Sequence, residues 1–119
     1  MPFYQPNELP KLMVAPNGAR KVKKDHPEVP LTIEETVEVA KNCFKAGAGA
    51  IHLHVRNEKG EHVLDAGLYK EALKELEFKV PKMHIQVTTE AVGIYSPEDM
   101  RKLAYDVTPP GTSIGIAEM

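Results

Sequence analysis

The sequence predicts an α/β chain of about four parallel strands with helices between them. Three observations carry this. Short aliphatic runs recur at Leu12-Met13-Val14-Ala15, at Ala50-Ile51-His52-Leu53-His54-Val55-Arg56, at Met83-His84-Ile85-Gln86-Val87-Thr88 and at Thr112-Ser113-Ile114-Gly115-Ile116. Helix-start signals stand between them, at Thr32, Asp65 and Ser96. The intervening stretches are long enough for helical crossovers, which parallel strands require and which are right-handed. Such a sheet can remain open. It can also be half of an eight-stranded β/α barrel, which typically needs about 250 residues. At 119 residues the chain suffices for one modest domain.

The elements follow in order. Residues 1–10 hold three prolines and few apolar anchors, so they read as an irregular arm, with the folded unit over 11–119. Leu12 to Ala15 form a short apolar run stopped by Pro16-Asn17-Gly18, a turn signal. A run of this kind suits a parallel strand covered on both faces. Residues 20–31 are a charged, proline-bearing loop longer than usual, and long loops often carry function. Thr32 and Glu35 form a capping box, and Ile33, Val37, Ala40 and Phe44 follow on one helical face. Gly47 suits the end of that helix.

The second strand starts at Ala50 and ends at Arg56, before the turn Asn57-Glu58-Lys59-Gly60. Asp65 caps a helix presenting Leu68, Ala72, Leu73 and Leu76. The third strand alternates, with His84, Gln86 and Thr88 on one side. Ser96, Pro97 and Asp99 start a third helix, whose Met100, Leu103 and Ala104 turn inward. Pro109-Pro110-Gly111 then breaks the chain before the last strand.

Composition narrows the function classes. Fifteen basic and seventeen acidic residues give a formal charge of -2, which argues against nucleic acid or an anionic membrane as partner. The basic cluster Arg20-Lys21-Val22-Lys23-Lys24 has no interleaved aromatics and reads as a solvated loop. Cys43 is the single cysteine, which excludes an internal disulfide and fits a reducing compartment. No run of about 18 apolar residues is present, and the first residues lack the pattern of a signal peptide. A cytoplasmic location is expected.

His52 and His54 are the candidate site. Two positions apart on a strand, they share a face, opposite Ile51, Leu53 and Val55. Two readings stand: core histidines satisfied by hydrogen bonds, or two ligands of a metal. Arg56 shares their parity and is expected to pair with Asp65; guiding an anionic substrate is the other reading. Asn17 and Gly18 follow strand one, which puts their backbone near a barrel mouth; they read as substrate-binding, with a plain turn as the other reading. Glu90 can orient a metal-ligating histidine or a substrate group. His84 lies nearer the strand start, as support below the pocket. His26 and His62 fall in loops and read as surface residues, and Cys43 reads as packed.

The segments Val14-Ala15-Pro16-Asn17-Gly18-Ala19, Pro30-Leu31-Thr32-Ile33-Glu34-Glu35, the run from Ala46 to Arg56, Gly60 through Asp65 and Gln86-Val87-Thr88-Thr89-Glu90 bring a family into view. With them the chain resembles the beta-keto acid cleavage enzymes, from about residue 11 to 119. The His-Leu-His-Val-Arg run after the Ala-Gly-Ala segment is the specific part.

The resemblance implies the N-terminal half of a (β/α)8 TIM-type barrel and a zinc enzyme in which His52 and His54 bind Zn2+. It implies a third ligand, a glutamate on a later strand beyond Met119, so a longer protein is expected. It implies retro-Claisen cleavage of a beta-keto acid with acetyl-CoA as co-substrate, giving acetoacetate and an acyl-CoA. Thr88 matches a family serine that contacts substrate, and Ser113 a threonine in the same pocket. No residue is assigned as acid or base.

Arg20 stands where the family often has a glutamate that contacts an amino substrate. This points to a neutral or acidic keto acid. Two other functions are carried forward: a non-catalytic half-barrel scaffold, and a different metal-dependent barrel hydrolase. A half barrel exposes two strand edges, so a homo-oligomer is expected.

Overall fold

The structure, a computed structural model, describes residues 9–118. Residues 1–8 of the expected arm lie outside the described residues. Four strands are present: β1 (Met13–Val14), β2 (Ala50–Leu53), β3 (His84–Thr88) and β4 (Gly111–Ser113). Three helices separate them: α1 (Ile33–Lys45), α2 (Ala66–Lys79) and α3 (Pro97–Val107). A 3-10 turn follows at Ile116–Glu118.

The sheet is parallel throughout and runs in chain order, β1-β2-β3-β4. Val14, Ile51, Ile85 and Val87 pack with residues of all three helices in one apolar cluster. α1 packs on α2, and α2 on α3. Helices gathered on one face of a sequentially ordered sheet are the winding of a barrel wall. A doubly wound open sheet has helices on both faces and a reversal of strand order. The fold is therefore α/β with four parallel strands and a partial barrel arrangement, as expected.

The helix starts are those the sequence marks. Thr32 Oγ1 accepts from Glu35 N at 3.0 Å, and the Glu35 carboxylate reaches back to Thr32 N at 3.1 Å. Ser96 and Asp99 make the same reciprocal pair at 3.2 and 2.9 Å. Asp65 Oδ1 accepts from Leu68 N at 2.9 Å. α1 ends into Gly47, whose φ of 112° is cheap for glycine. The inward faces are as expected at Val37, Ala40, Ala72, Leu73, Leu76, Met100 and Leu103; Tyr69 and Val107 join them.

The strands are shorter than the apolar runs. The register pairs Val14 with Ile51, so Pro16 would fall opposite Leu53. Proline has no N–H to extend that ladder. β3 begins at His84 because the Met83 N–H turns back to the Val80 carbonyl at 3.0 Å. β4 stops at Ser113, opposite the last residue of β3, so Ile116 lies in the 3-10 turn rather than in a strand.

Arg56 corrects an expectation. It does not pair with Asp65, whose carboxylate caps α2. Its guanidinium instead donates to the carbonyls of Gly60 at 2.7 Å, Gly18 at 2.9 Å, Lys21 at 2.8 Å and Asn17 at 3.3 Å. One planar fork with several donors suits converging carbonyls better than one carboxylate near a busy helix start. Arg56 thereby ties the loop after β1 to the turn after β2, at the sheet end that carries the site. Replacing it leaves buried carbonyls unpaired. Arg56→Met is expected to lower stability by about 2–4 kcal/mol, read as the shift of a urea unfolding curve. A change below about 0.5 kcal/mol would show the brace to be idle.

Candidate metal and substrate site

The strand register builds the site. His52 stands opposite Gln86, and Thr88 opposite Ser113. These residues share the sheet face away from the helices. His52 Nδ1 lies 2.6 Å from Gln86 Oε1. An amide oxygen only accepts, so His52 carries a proton on Nδ1, and in the neutral ring Nε2 is the bare nitrogen. His54 follows β2 on the same face and is buried. The two rings meet edge to face, 5.0 Å between centroids.

His54 is held from behind. Its Nδ1 faces Nδ1 of His62 at 3.3 Å. His62 is not a surface residue, as its loop position suggested, but 4% exposed. An antiparallel bridge between Arg56 and His62 folds the segment after the turn back alongside Val55 and Arg56, just past β2, and the His62 ring is buried there. His62 Nε2 then meets the Glu90 carbonyl at 2.7 Å.

Burial drives the electrostatics. Desolvation lowers the His54 pKa most, aided by His62, His52 and Arg56, to about 3. His62 is also lowered, chiefly by burial. His54 is therefore neutral at neutral pH. The Glu90 carboxylate, 3.8 Å from His54 Nε2, is too distant for a hydrogen bond and faces no imidazolium.

His52, Thr88, Glu90, Ser113, Gly115 and Glu118 line a shallow cavity of about 280 Å³. Thr88 Oγ1 accepts from Glu90 N at 3.0 Å, and Ser113 Oγ lies 3.5 Å from it. Glu118 Oε2 accepts from Ala91 N at 3.0 Å and closes one side. A larger cleft of about 710 Å³ lies beside the start of α1. Of its charged groups, Lys23 pairs with Glu35, Arg56 donates to carbonyls and Asp65 caps α2, while Glu58, Lys59 and Glu71 also line it. Size favours that cleft; the histidine and hydroxyl lining favours the smaller one.

The other candidates disperse. Asn17 is buried, and its amide donates to the carbonyls of Pro30 at 3.0 Å and His54 at 3.4 Å. Gly18 turns at φ 60°, and its carbonyl goes to Arg56. His84 sits at the start of β3, opposite Ala50, away from the cavity lining. His26 is exposed, as expected, and accepts from Glu28 N. Cys43 is half-buried against the core. Arg20 is exposed in the loop after β1.

The donor set fits part of a zinc site. Two imidazoles, each with Nδ1 turned to a hydrogen-bonding partner, are what a metal takes through Nε2. Among the described residues no group of three or more His, Cys, Asp or Glu is placed to hold a metal. A structural or catalytic zinc takes three or four protein ligands.

Comparison with known proteins gives the lineage. A sequence profile of the beta-keto acid cleavage enzymes matches residues 11–119. The chain belongs to that family. A 3-keto-5-aminohexanoate cleavage enzyme of Fusobacterium nucleatum is 38% identical over 78 residues, 65% of this chain and 29% of that protein. One of the same name from Acetoanaerobium sticklandii is 36% identical over 85 residues, 71% of this chain and 31% of its own length. A 3-oxoadipate:acetyl-CoA acetyltransferase of Cupriavidus necator is 35% identical over 78 residues, 66% of this chain and 28% of its length. The match thus spans under a third of each relative. Among the described residues no helix is long and apolar enough to cross a membrane.

The neutral His54 sets a pH dependence. Unfolded, it takes a proton near 6.5; folded, only near 3. Between those values the unfolded chain binds more protons, so stability falls as pH drops through this window. In the metal-free protein, His54→Asn should flatten that slope in urea titrations run across the range. An unchanged slope would contradict the burial argument.

Proposed function

We propose that this chain supplies the metal- and substrate-binding wall of a zinc-dependent beta-keto acid cleavage enzyme that acts with acetyl-CoA. The observation that carries this reading is the His52–His54 pair. Both rings sit on the face away from the helices, and the hydrogen bonds at Nδ1 leave Nε2 as the nitrogen open to a ligand. The names of the relatives support the reaction class.

The reaction is an exchange of acyl groups. The beta-keto acid R–CO–CH2–COO⁻ and acetyl-CoA yield R–CO–S-CoA and acetoacetate. The bond broken joins the keto carbon to the CH2. The acetyl group forms a new bond to that CH2 fragment, and the thiolate of coenzyme A takes the R–CO group. Zinc, when bound, supplies a Lewis acid for the keto oxygen and for the enolate charge that develops.

This chain's residues would do the rest of the holding on their side. His52 and His54 would give two of the metal's ligands. Thr88 would donate its hydroxyl proton to the substrate carboxylate, with Ser113 beside it. Glu90 and Glu118 would border the substrate where it leaves the cavity. Asn17 and Gly18 would shape the mouth through the loop that Arg56 braces.

Arg20 bears on substrate choice. A guanidinium in the loop after β1 repels an ammonium and attracts a carboxylate. The Cupriavidus necator relative is named for 3-oxoadipate, a keto acid with a second carboxylate. We assign this chain to a neutral or acidic keto acid rather than to an amino keto acid.

The test is turnover with acetyl-CoA and zinc, followed as acetoacetate. Faster turnover of 3-oxoadipate than of 3-keto-5-aminohexanoate is expected, with the preference narrowed in Arg20→Glu. Equal turnover of both would sink the substrate assignment. Hydrolysis without coenzyme A would point to a different barrel hydrolase. Zinc binding with neither reaction would point to a non-catalytic scaffold.

A further inference from the structure

We propose that His62 is a positioning residue that fixes the tautomer of His54 and turns the His54 Nε2 lone pair onto the open face. The use of that lone pair rests on the zinc reading above; the tautomer itself does not.

The argument follows the proton positions. His62 Nε2 lies 2.7 Å from the Glu90 carbonyl oxygen. A carbonyl only accepts, so His62 carries its proton on Nε2. In the neutral ring Nδ1 is then an acceptor. It faces Nδ1 of His54 at 3.3 Å, and two bare nitrogens would repel. The His54 proton therefore sits on Nδ1, and its Nε2 is bare.

The local fold serves this arrangement. Asn57 Oδ1 accepts from the N–H groups of Lys59 and Glu61 at 2.9 and 3.0 Å, and Asn57 N donates to the Glu61 carbonyl at 2.8 Å. The turn so pinned returns His62 alongside Arg56. The carbonyl at the far end belongs to Glu90, just past β3. The chain Glu90 carbonyl, His62, His54 thus couples the ends of two neighbouring strands to one ligand orientation. Gln86 does the same for His52 by a direct contact. Partners of this kind typically change metal affinity about 10–100-fold when removed.

The experiment uses the chain labelled with 15N at histidine and long-range proton–nitrogen NMR near neutral pH, without metal. The wild type is expected to show His54 protonated on Nδ1. His62→Leu should move that proton to Nε2 in a large fraction of molecules, and zinc binding by calorimetry should weaken about 10–100-fold. His62→Gln offers an accepting oxygen and a donating nitrogen at a similar spacing. It should keep the wild-type tautomer and most of the affinity.

His54 protonated on Nε2 in the wild type would overturn the proposal. So would a His62→Leu protein with unchanged tautomer. Should His62→Leu fail to fold, the wild-type and His62→Gln spectra still decide. A wild type with the expected tautomer that binds no zinc upholds the role of His62 and overturns the zinc reading instead.

Discussion

The parallel pairing of β2 with β3 is the constraint on which the rest depends. Four consecutive residue pairs, Ala50–His84 to Leu53–Val87, fix which side chains share a face. A slip of one residue would exchange the faces of the whole strand. Ile51 and Leu53 would leave the helices, and His52 would enter the apolar core. The fully buried Ile51, Leu53 and Val87 hold the register, so the core energetically determines where the histidines point. The site is stabilised from its back.

Two kinds of support then orient the imidazoles. Gln86 comes with the register, one strand over. His62 comes from a turn that doubles back after Arg56. Burial of His54 and His62 disfavours their charged forms. This keeps nitrogen lone pairs available but costs stability in acid. Arg56, the nearby permanent charge, donates through its terminal nitrogens to backbone carbonyls rather than to a carboxylate, while its Nε is left unpaired. That choice leaves Glu90 and Glu118 at the cavity without a guanidinium partner there. The region also holds Val92 at φ 46°, a β-branched residue in a conformation that costs of order 1–3 kcal/mol.

Much of this was legible in the residues. The capping boxes at Thr32 and Ser96 and the cap at Asp65 mark the helix starts because a side-chain oxygen and a nearby N–H are local in sequence. The His52–His54 face was legible because strand period is local too. What was not legible was long-range. His62 looks like a loop residue because nothing in Gly60-Glu61-His62 tells that the segment returns alongside Val55 and Arg56. A histidine eight residues after another across an Asn-Gly-containing turn is the signal that would have raised it. The parity of Arg56 suggests Asp65, nine residues on, as its partner, whereas its actual partners Gly18 and Lys21 lie more than thirty residues away. Strand ends also escaped, because they are set by a neighbour's proline or turn rather than by the strand's own residues.

The central claim is that His52 and His54 present their two Nε2 atoms to one metal. Zinc K-edge X-ray absorption on the zinc-loaded protein tests it most directly. The account predicts two imidazole nitrogens at about 2.0–2.1 Å, lost together with most of the bound zinc in the His52→Ala/His54→Ala double variant. A spectrum without imidazole scattering, or one unchanged in the double variant, would contradict it.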